Sequence, residues 1–200
     1  MRIGSVLLLI AAADLARPAD LRVTVVDHAD QPVADAVVYA VPSNPPPHNE
    51  VHKASIDQVH RQFVPRVSVV QAATAITFPN SDNIRHSVYS FSHAKTFTLK
   101  LYSGTPANPV LFDQPGIVVL GCNIHDAMVA WVLVVDTPYF TRTAADGTAT
   151  LAGLPGGDYQ LRAWNNSMAD EQAGEALHIG AEAPGLRQLH VDGQQLAAHP

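Results

Sequence analysis

Apolar and polar residues alternate from the first third of the chain onward. Leu21, Val23 and Val25 are separated by Arg22 and Thr24, the period-two pattern of a strand with one buried face. Asp30-Gln31-Pro32 supplies a turn, and Ala36-Val37-Val38-Tyr39-Ala40-Val41 predicts a second strand that stops at Pro42, where a ladder donor is missing. Ser43-Asn44-Pro45-Pro46-Pro47 favours extended polyproline geometry and reads as a linker. Short β-like runs then follow at residues 67–70, 75–78, 88–91, 96–101, 117–120 and 129–135, broken by Pro79-Asn80-Ser81-Asp82, Ser103-Gly104-Thr105-Pro106 and Pro115-Gly116. Strands at such spacing predict a sandwich or barrel closed around its own core. Past Asp136 the chain returns to its opening style. Asp146-Gly147 signals a hairpin and Leu154-Pro155-Gly156-Gly157 a second tight connection, with further strands at residues 159–164, 176–179 and 186–191. The pattern predicts an all-β protein.

Composition sharpens this reading. Charged residues make up only 15% of the 200, against Pro 15 and Gly 12, so long surface helices are disfavoured. A net charge of −6 leaves no basic footprint for phosphates, which excludes nucleic acid as an expected partner. Met1-Arg2, the apolar run at residues 3–13 and Ala11-Ala12-Ala13 predict a secretory signal peptide over residues 1–16. That run is shorter than the roughly 20 residues a spanning helix needs, so the mature chain is expected to be exported to the periplasm without stable membrane insertion.

Two flanking segments carry a first resemblance. Pro32-Val33-Ala34-Asp35-Ala36-Val37, Asp146-Gly147 and Leu154-Pro155-Gly156-Gly157-Asp158-Tyr159 resemble motifs of carboxypeptidase-regulatory-like, or transthyretin-like, β-sandwiches. The resemblance implies one discontinuous sandwich made of residues 20–47 and 137–193, with residues 56–136 as a second domain inserted between them.

The chemistry concentrates in Gly121-Cys122-Asn123-Ile124-His125-Asp126-Ala127-Met128. Cys122 is the one cysteine of the chain, so it forms no internal disulfide in an oxidising compartment. A tight loop between two strands can bring the thiolate of Cys122, the imidazole of His125 and the thioether of Met128 to one point, and His86, just ahead of a strand, can reach that loop. Two imidazoles and a thiolate with a weak axial thioether form the ligand set of a blue-copper electron-transfer site. Soft sulfur suits Cu(I), and imidazole serves both oxidation states. Met128 and an apolar shell of Ile124, Val119 and Phe78 would then set the potential.

Rival chemistries fit less well. Structural zinc wants four strong Cys or His ligands, c-type haem needs a second cysteine, and a methionine-rich copper chaperone needs more than Met128 and Met168. A cysteine nucleophile would have its base poorly placed in the same tight loop. His48, His52 and His60 follow the Pro-rich stretch, where solvated histidines are the expectation and a second metal patch the alternative.

Phe63-Val64-Pro65, Ile76-Thr77-Phe78-Pro79-Asn80-Ser81-Asp82, Arg85-His86-Ser87-Val88-Tyr89-Ser90-Phe91-Ser92 and the Cys122 loop together resemble cupredoxins, the loop being similar to the short form of amicyanin-like members. The continuation through Asp136-Thr137-Pro138-Tyr139-Phe140 resembles the bacterial proteins labelled methylamine utilization protein, or plastocyanin-like. The resemblance spans roughly residues 56–164. It implies a cupredoxin Greek-key β-sandwich with one type 1 copper held by His86, Cys122, His125 and Met128. Ser87 is a departure, since many cupredoxins place there an Asn whose side chain ties the ligand loops together; Asn80 or Asn123 is a substitute by position. An exposed ligand histidine, here His125, would pass electrons through an apolar rim for which Ala127, Val129 and Pro106 are candidates.

The expected function is therefore a periplasmic carrier of single electrons and not an enzyme. It would work between a protein donor and acceptor such as a periplasmic dehydrogenase or a cytochrome c, in the setting of amine oxidation. A copper-stabilised binding or scaffold protein and a periplasmic copper-delivery protein are the alternatives.

Overall fold

The computed structural model describes residues 18–45, 50–168, 171, 174–180 and 184–191. The segment assigned to a signal peptide, residues 1–16, lies outside them, as does His48. The described residues form seventeen strands and no helix, so the chain is all-β. Accordingly, no helix among them is long and apolar enough to cross a membrane.

The two ends of the chain combine into one pair of sheets. The first holds β1 (Ala19–Val26), β14 (Thr148–Leu154) and β17 (Arg187–His190) in the order β14-β1-β17, with β1 antiparallel to β14 and parallel to β17. The second holds β2 (Val37–Pro42), β13 (Phe140–Arg142), β15 (Gly157–Trp164) and β16 (Glu175–Ile179) in the order β13-β2-β15-β16. Alternation dictates the packing. Leu21, Val23 and Val25 are fully buried against Val37, Leu151, Leu161 and Trp164, while Arg22 between them is exposed. Each such side chain contributes roughly 1.5–3 kcal/mol of burial.

The middle of the chain builds a second pair. A five-stranded sheet runs β6 (Val67–Gln71), β12 (Val129–Val135), β11 (Gly116–Gly121), β8 (His86–Ser92) and β9 (Lys95–Tyr102). Facing it are β10 (Val110–Phe112), β7 (Thr74–Thr77) and β3 (His52–Ser55), with the hairpin of β4 (Asp57–Val59) and β5 (Gln62–Val64) alongside. Phe78, Phe97 and Phe112 meet in this core at ring separations of 5.7 to 6.4 Å.

One strand serves both halves. Ala130, Val132 and Val134 of β12 enter the second core, whereas Leu133 and Val135 enter the first, joined on that face by Val67, Val69, Ile117 and Trp131. Every residue of β12 is apolar, as expected of a strand covered on both faces.

Three features depart from the sequence pattern. Asp146-Gly147 makes the tight hairpin turn, with Gly147 at φ +75 and its N–H donating to the Ala144 carbonyl at 3.0 Å while Ala144 N–H donates to that of Thr148 at 2.8 Å, but the strands on either side do not go on to pair with each other. The strand before it pairs with β2 and the strand after it with β1, so the turn carries the chain from one sheet to the other. A Cβ on Gly147 would stand 2.6 Å from the Val25 carbonyl oxygen, so this crossing needs glycine on both conformational and steric grounds. Secondly, β2 continues through Pro42, which pairs with Tyr159 at the strand end, where a missing donor costs little. Thirdly, β3, β4, β5, β10 and β13 escaped the pattern because strands of three or four residues hold too few apolar positions to show a period.

Candidate metal centre

The two strands that bear the candidate ligands are neighbours. β8 and β11 are antiparallel, pairing at Gly121 and Tyr89, and Cys122 follows Gly121 directly. β8 carries a register shift between His86 and Val88 against β9, a bulge-type irregularity. It lets His86, Ser87 and Val88 all be buried in succession where a regular strand would turn Ser87 outward. The β11–β12 pair ends at Gly121 opposite Val129, so residues 122–128 form the closing loop. That loop is drawn tight by Met128 N–H donating to the His125 carbonyl at 2.9 Å and Val129 N–H to that of Ala127 at 3.1 Å.

Three donors converge. The Cys122 Sγ lies 3.8 Å from His86 Nδ1 and 4.0 Å from His125 Nδ1, and all three ligand atoms fall within 4.8 Å of one another. Thiolate and imidazole bonded at about 2.0–2.3 Å to one first-row ion, 120° apart, stand about 3.8 Å from each other, so the trio fits an approximately trigonal metal. His86 and Cys122 are buried, and His125 is half-buried, the one ligand atom group open to solvent. Met128 is 1% exposed and belongs to the same apolar cluster as Cys122. Among the described residues no other group of three or more His, Cys, Asp or Glu converges in this way, so His52 and His60 form no such cluster with described residues; His48 lies outside them.

The sulfur is prepared for ionisation. Burial opposes the charge, but the backbone N–H groups of Ile124 and Ser87 and the imidazoles of His86 and His125 outweigh it, bringing the thiol from its ordinary 9.0 down to about 6. At neutral pH the metal-free protein presents a thiolate.

Two further residues support the donors. The Ser87 hydroxyl accepts the Asn123 N–H at 2.9 Å and stands 3.8 Å from the Cys122 sulfur, so a serine side chain ties the ligand strand to the ligand loop. The substitutes considered from sequence do not share this task through their side chains: Asn80 donates to the carbonyls of Ile84 and Tyr102, both at 2.9 Å, and Asn123 contributes its backbone. The second support is Asp82, whose Oδ2 lies 2.8 Å from His86 Nε2. Sequence reasoning took Asp82 for a turn residue. Its only signal was a carboxylate four positions before a ligand histidine. A cavity of about 310 Å³ lined by His60, Arg61, Asp82, Asn83 and Ile84 opens beside it.

The expected apolar shell is corrected in part. Phe78 is buried in the ligand core, but Ile124 is 48% and Val119 41% exposed. Val119 points away because its neighbours Val118 and Leu120 take the core face of β11, and Ile124 sits at the loop tip beside His125. Ile124 thus joins exposed Ala127 and half-buried Val129 around the solvent side of the loop; Pro106 is half-buried.

No family model matches the chain, and no curated protein matches it. Solved structures do. A copper-containing nitrite reductase from Thermus scotoductus SA-01 is 20% identical over 46% of this chain and 25% of its own, at a TM-score of 0.40. This chain thus spans a quarter of that enzyme's length. A purple cupredoxin from Nitrosopumilus maritimus is 19% identical over 41% of this chain and 99% of its own, at 0.36. The reduced state of an amicyanin variant is 17% identical over 48% of this chain and 99% of its own, at 0.37.

Proposed function

We propose that the chain is a type 1 copper protein of the cupredoxin kind, carrying single electrons in the periplasm between a protein donor and a protein acceptor. The observation that carries this reading is the convergence of two imidazole Nδ1 atoms on the buried sulfur of Cys122 at 3.8 and 4.0 Å. Met128, in the same core as Cys122, would be the fourth donor. Copper held there would supply one-electron chemistry, and the mixed soft and borderline donors suit both of its oxidation states.

The chain's own residues account for the rest. Burial of His86, Cys122 and Met128 excludes water from the inner side, and the Ser87 bond to the Cys122 loop limits how far the donors can move. Small movement keeps the reorganisation between oxidation states low. His125 is the ligand that reaches the surface, and exposed Ile124 and Ala127 give it apolar neighbours, with the carboxylate of exposed Asp126 between them, on which a dehydrogenase or a cytochrome c would dock. With four protein donors no position is left for a substrate, which favours a carrier over an enzyme. The signal-like segment at residues 1–16 supports export.

The visible and EPR spectra of the copper-loaded protein, taken beside Cys122→Ser, test the reading. The expected result is an intense thiolate-to-copper absorption and a narrow copper hyperfine splitting, both abolished in the variant. Copper binding that is colourless and indifferent to Cys122 would overturn it and favour a scaffold role for the chain.

A further inference from the structure

The turn between β4 and β5 is strained for no reason internal to the hairpin. Val59 and Gln62 are the last paired residues, which leaves His60 and Arg61 as a two-residue loop. Both lie in the left-handed region, at φ 52 and 60. A turn of this kind is inexpensive with Asn-Gly, whereas a residue with a Cβ and a bulky side chain is strained there. Backbone strain of this sort is a pointer to what the strained groups do.

Here the two strained residues aim their N–H groups at one carboxylate. His60 N–H donates to Asp82 Oδ1 at 2.7 Å and Arg61 N–H to Asp82 Oδ2 at 2.8 Å. The remaining partner of Oδ2 is His86 Nε2, also at 2.8 Å, and Asp82's own N–H is tied to Asn80 Oδ1 at 3.1 Å. Both Asp82 oxygens accept backbone N–H groups, so Oδ2 faces His86 as an acceptor; the His86 proton therefore sits on Nε2, which leaves the Nδ1 lone pair facing Cys122.

We infer that Asp82, clamped by the His60–Arg61 turn, is the positioning residue that fixes the orientation and tautomer of His86 and adds negative charge behind that ligand. This rests on the copper reading for its effect on a metal, though not for the hydrogen bond itself. A carboxylate behind a ligand imidazole increases its basicity, and loss of such a partner costs 10- to 100-fold in metal affinity. Negative charge there also favours the more highly charged Cu(II), so its removal moves the reduction potential upward.

Three variants separate the contributions. In the metal-free protein, His86 Nε2–H is expected to give a downfield proton resonance protected from solvent exchange; Asp82→Ala should abolish it, and Asp82→Asn, which keeps an acceptor oxygen, should retain it. With copper bound, Asp82→Ala should lose about 10- to 100-fold in affinity measured by competition with a chelator. Asp82→Asn should keep the visible band while its potential becomes more positive. His60→Asn with Arg61→Gly, which relaxes the turn and keeps both N–H donors, should raise the melting temperature and retain the Nε2–H resonance. A resonance that persists in Asp82→Ala, or a potential unmoved in Asp82→Asn, overturns the inference. If Asp82→Ala does not fold, the Asp82→Asn potential decides. A protein that binds no copper through Cys122 while the Nε2–H resonance still depends on Asp82 would sink the copper reading and leave the positioning contact standing.

Discussion

The Ser87 hydroxyl and the Asn123 backbone N–H lie 2.9 Å apart, and this bond fastens the strand that carries His86 to the loop that carries Cys122 and His125. Ser87 is 1% exposed, so water cannot replace it easily. Ser87→Ala removes the acceptor and leaves a partly buried donor unpaired, at a cost of about 1–3 kcal/mol. Thermal unfolding should show that loss, and copper release to a chelator should be faster than in the parent. Equal release rates would mean that the loop is held by its other bonds alone.

The outer end of the Tyr89 side chain lies against Gly121. A Cβ at position 121 would stand 2.6 Å from the Tyr89 ring and 2.7 Å from its hydroxyl oxygen, because the tyrosine lies across the space a side chain would fill. Gly121→Ala should destabilise by about 1–3 kcal/mol in urea unfolding. The same change in a Tyr89→Ala background should cost far less, so the double-mutant cycle should give a large coupling. Additive effects would refute the steric account.

Acidity of the Cys122 thiol sets a pH dependence for the metal-free protein. The folded thiol titrates at about 6 and an ordinary one at 9.0, so between these values the unfolded chain binds the extra proton. Stability from this group is complete above 9 and is lost as pH falls through the window to 6, with a slope of up to about 1.4 kcal/mol per pH unit. Denaturant unfolding at several pH values should show stability rising with pH across that window, and Cys122→Ala should flatten the rise. Identical slopes in the two proteins would assign the effect elsewhere.

The rim of His125 should be sensitive to charge. Ala127 is exposed two residues from His125, and Ala127→Glu adds a second carboxylate beside exposed Asp126 without touching a donor. Electron self-exchange, read from NMR line broadening in mixtures of oxidised and reduced protein, should slow while the visible spectrum stays the same. A self-exchange rate equal to that of the parent would place the electron exit on another face.

The legible and hidden parts of this structure divide along physical lines. Cys122, His125 and Met128 were visible because their spacing lies within one short loop, and His86 because a strand begins at it. Asp82 was hidden because its role depends on a turn more than twenty positions earlier, whose left-handed backbone brings two N–H groups to it. Ser87 was visible as a departure from a pattern, but its hydroxyl contact needed the bulge that turns it inward. Val119 could have been placed correctly from parity alone, since Val118 and Leu120 occupy the inner face of the same strand. Asp146-Gly147 fixed a turn but not its partners, because a dipeptide determines how the chain bends and not which sheet receives it.

β12 acts as a party wall. Its odd and even residues line different rooms, and Leu133, Val135 and Trp131 are covered by segments from the far ends of the chain. A piece cut out at residues 56 and 136 would carry that wall with one side stripped, an apolar sheet face inviting self-association. Transplanting the metal loop into another host, or trimming this one to a minimal carrier, therefore demands that the bare side be resurfaced first.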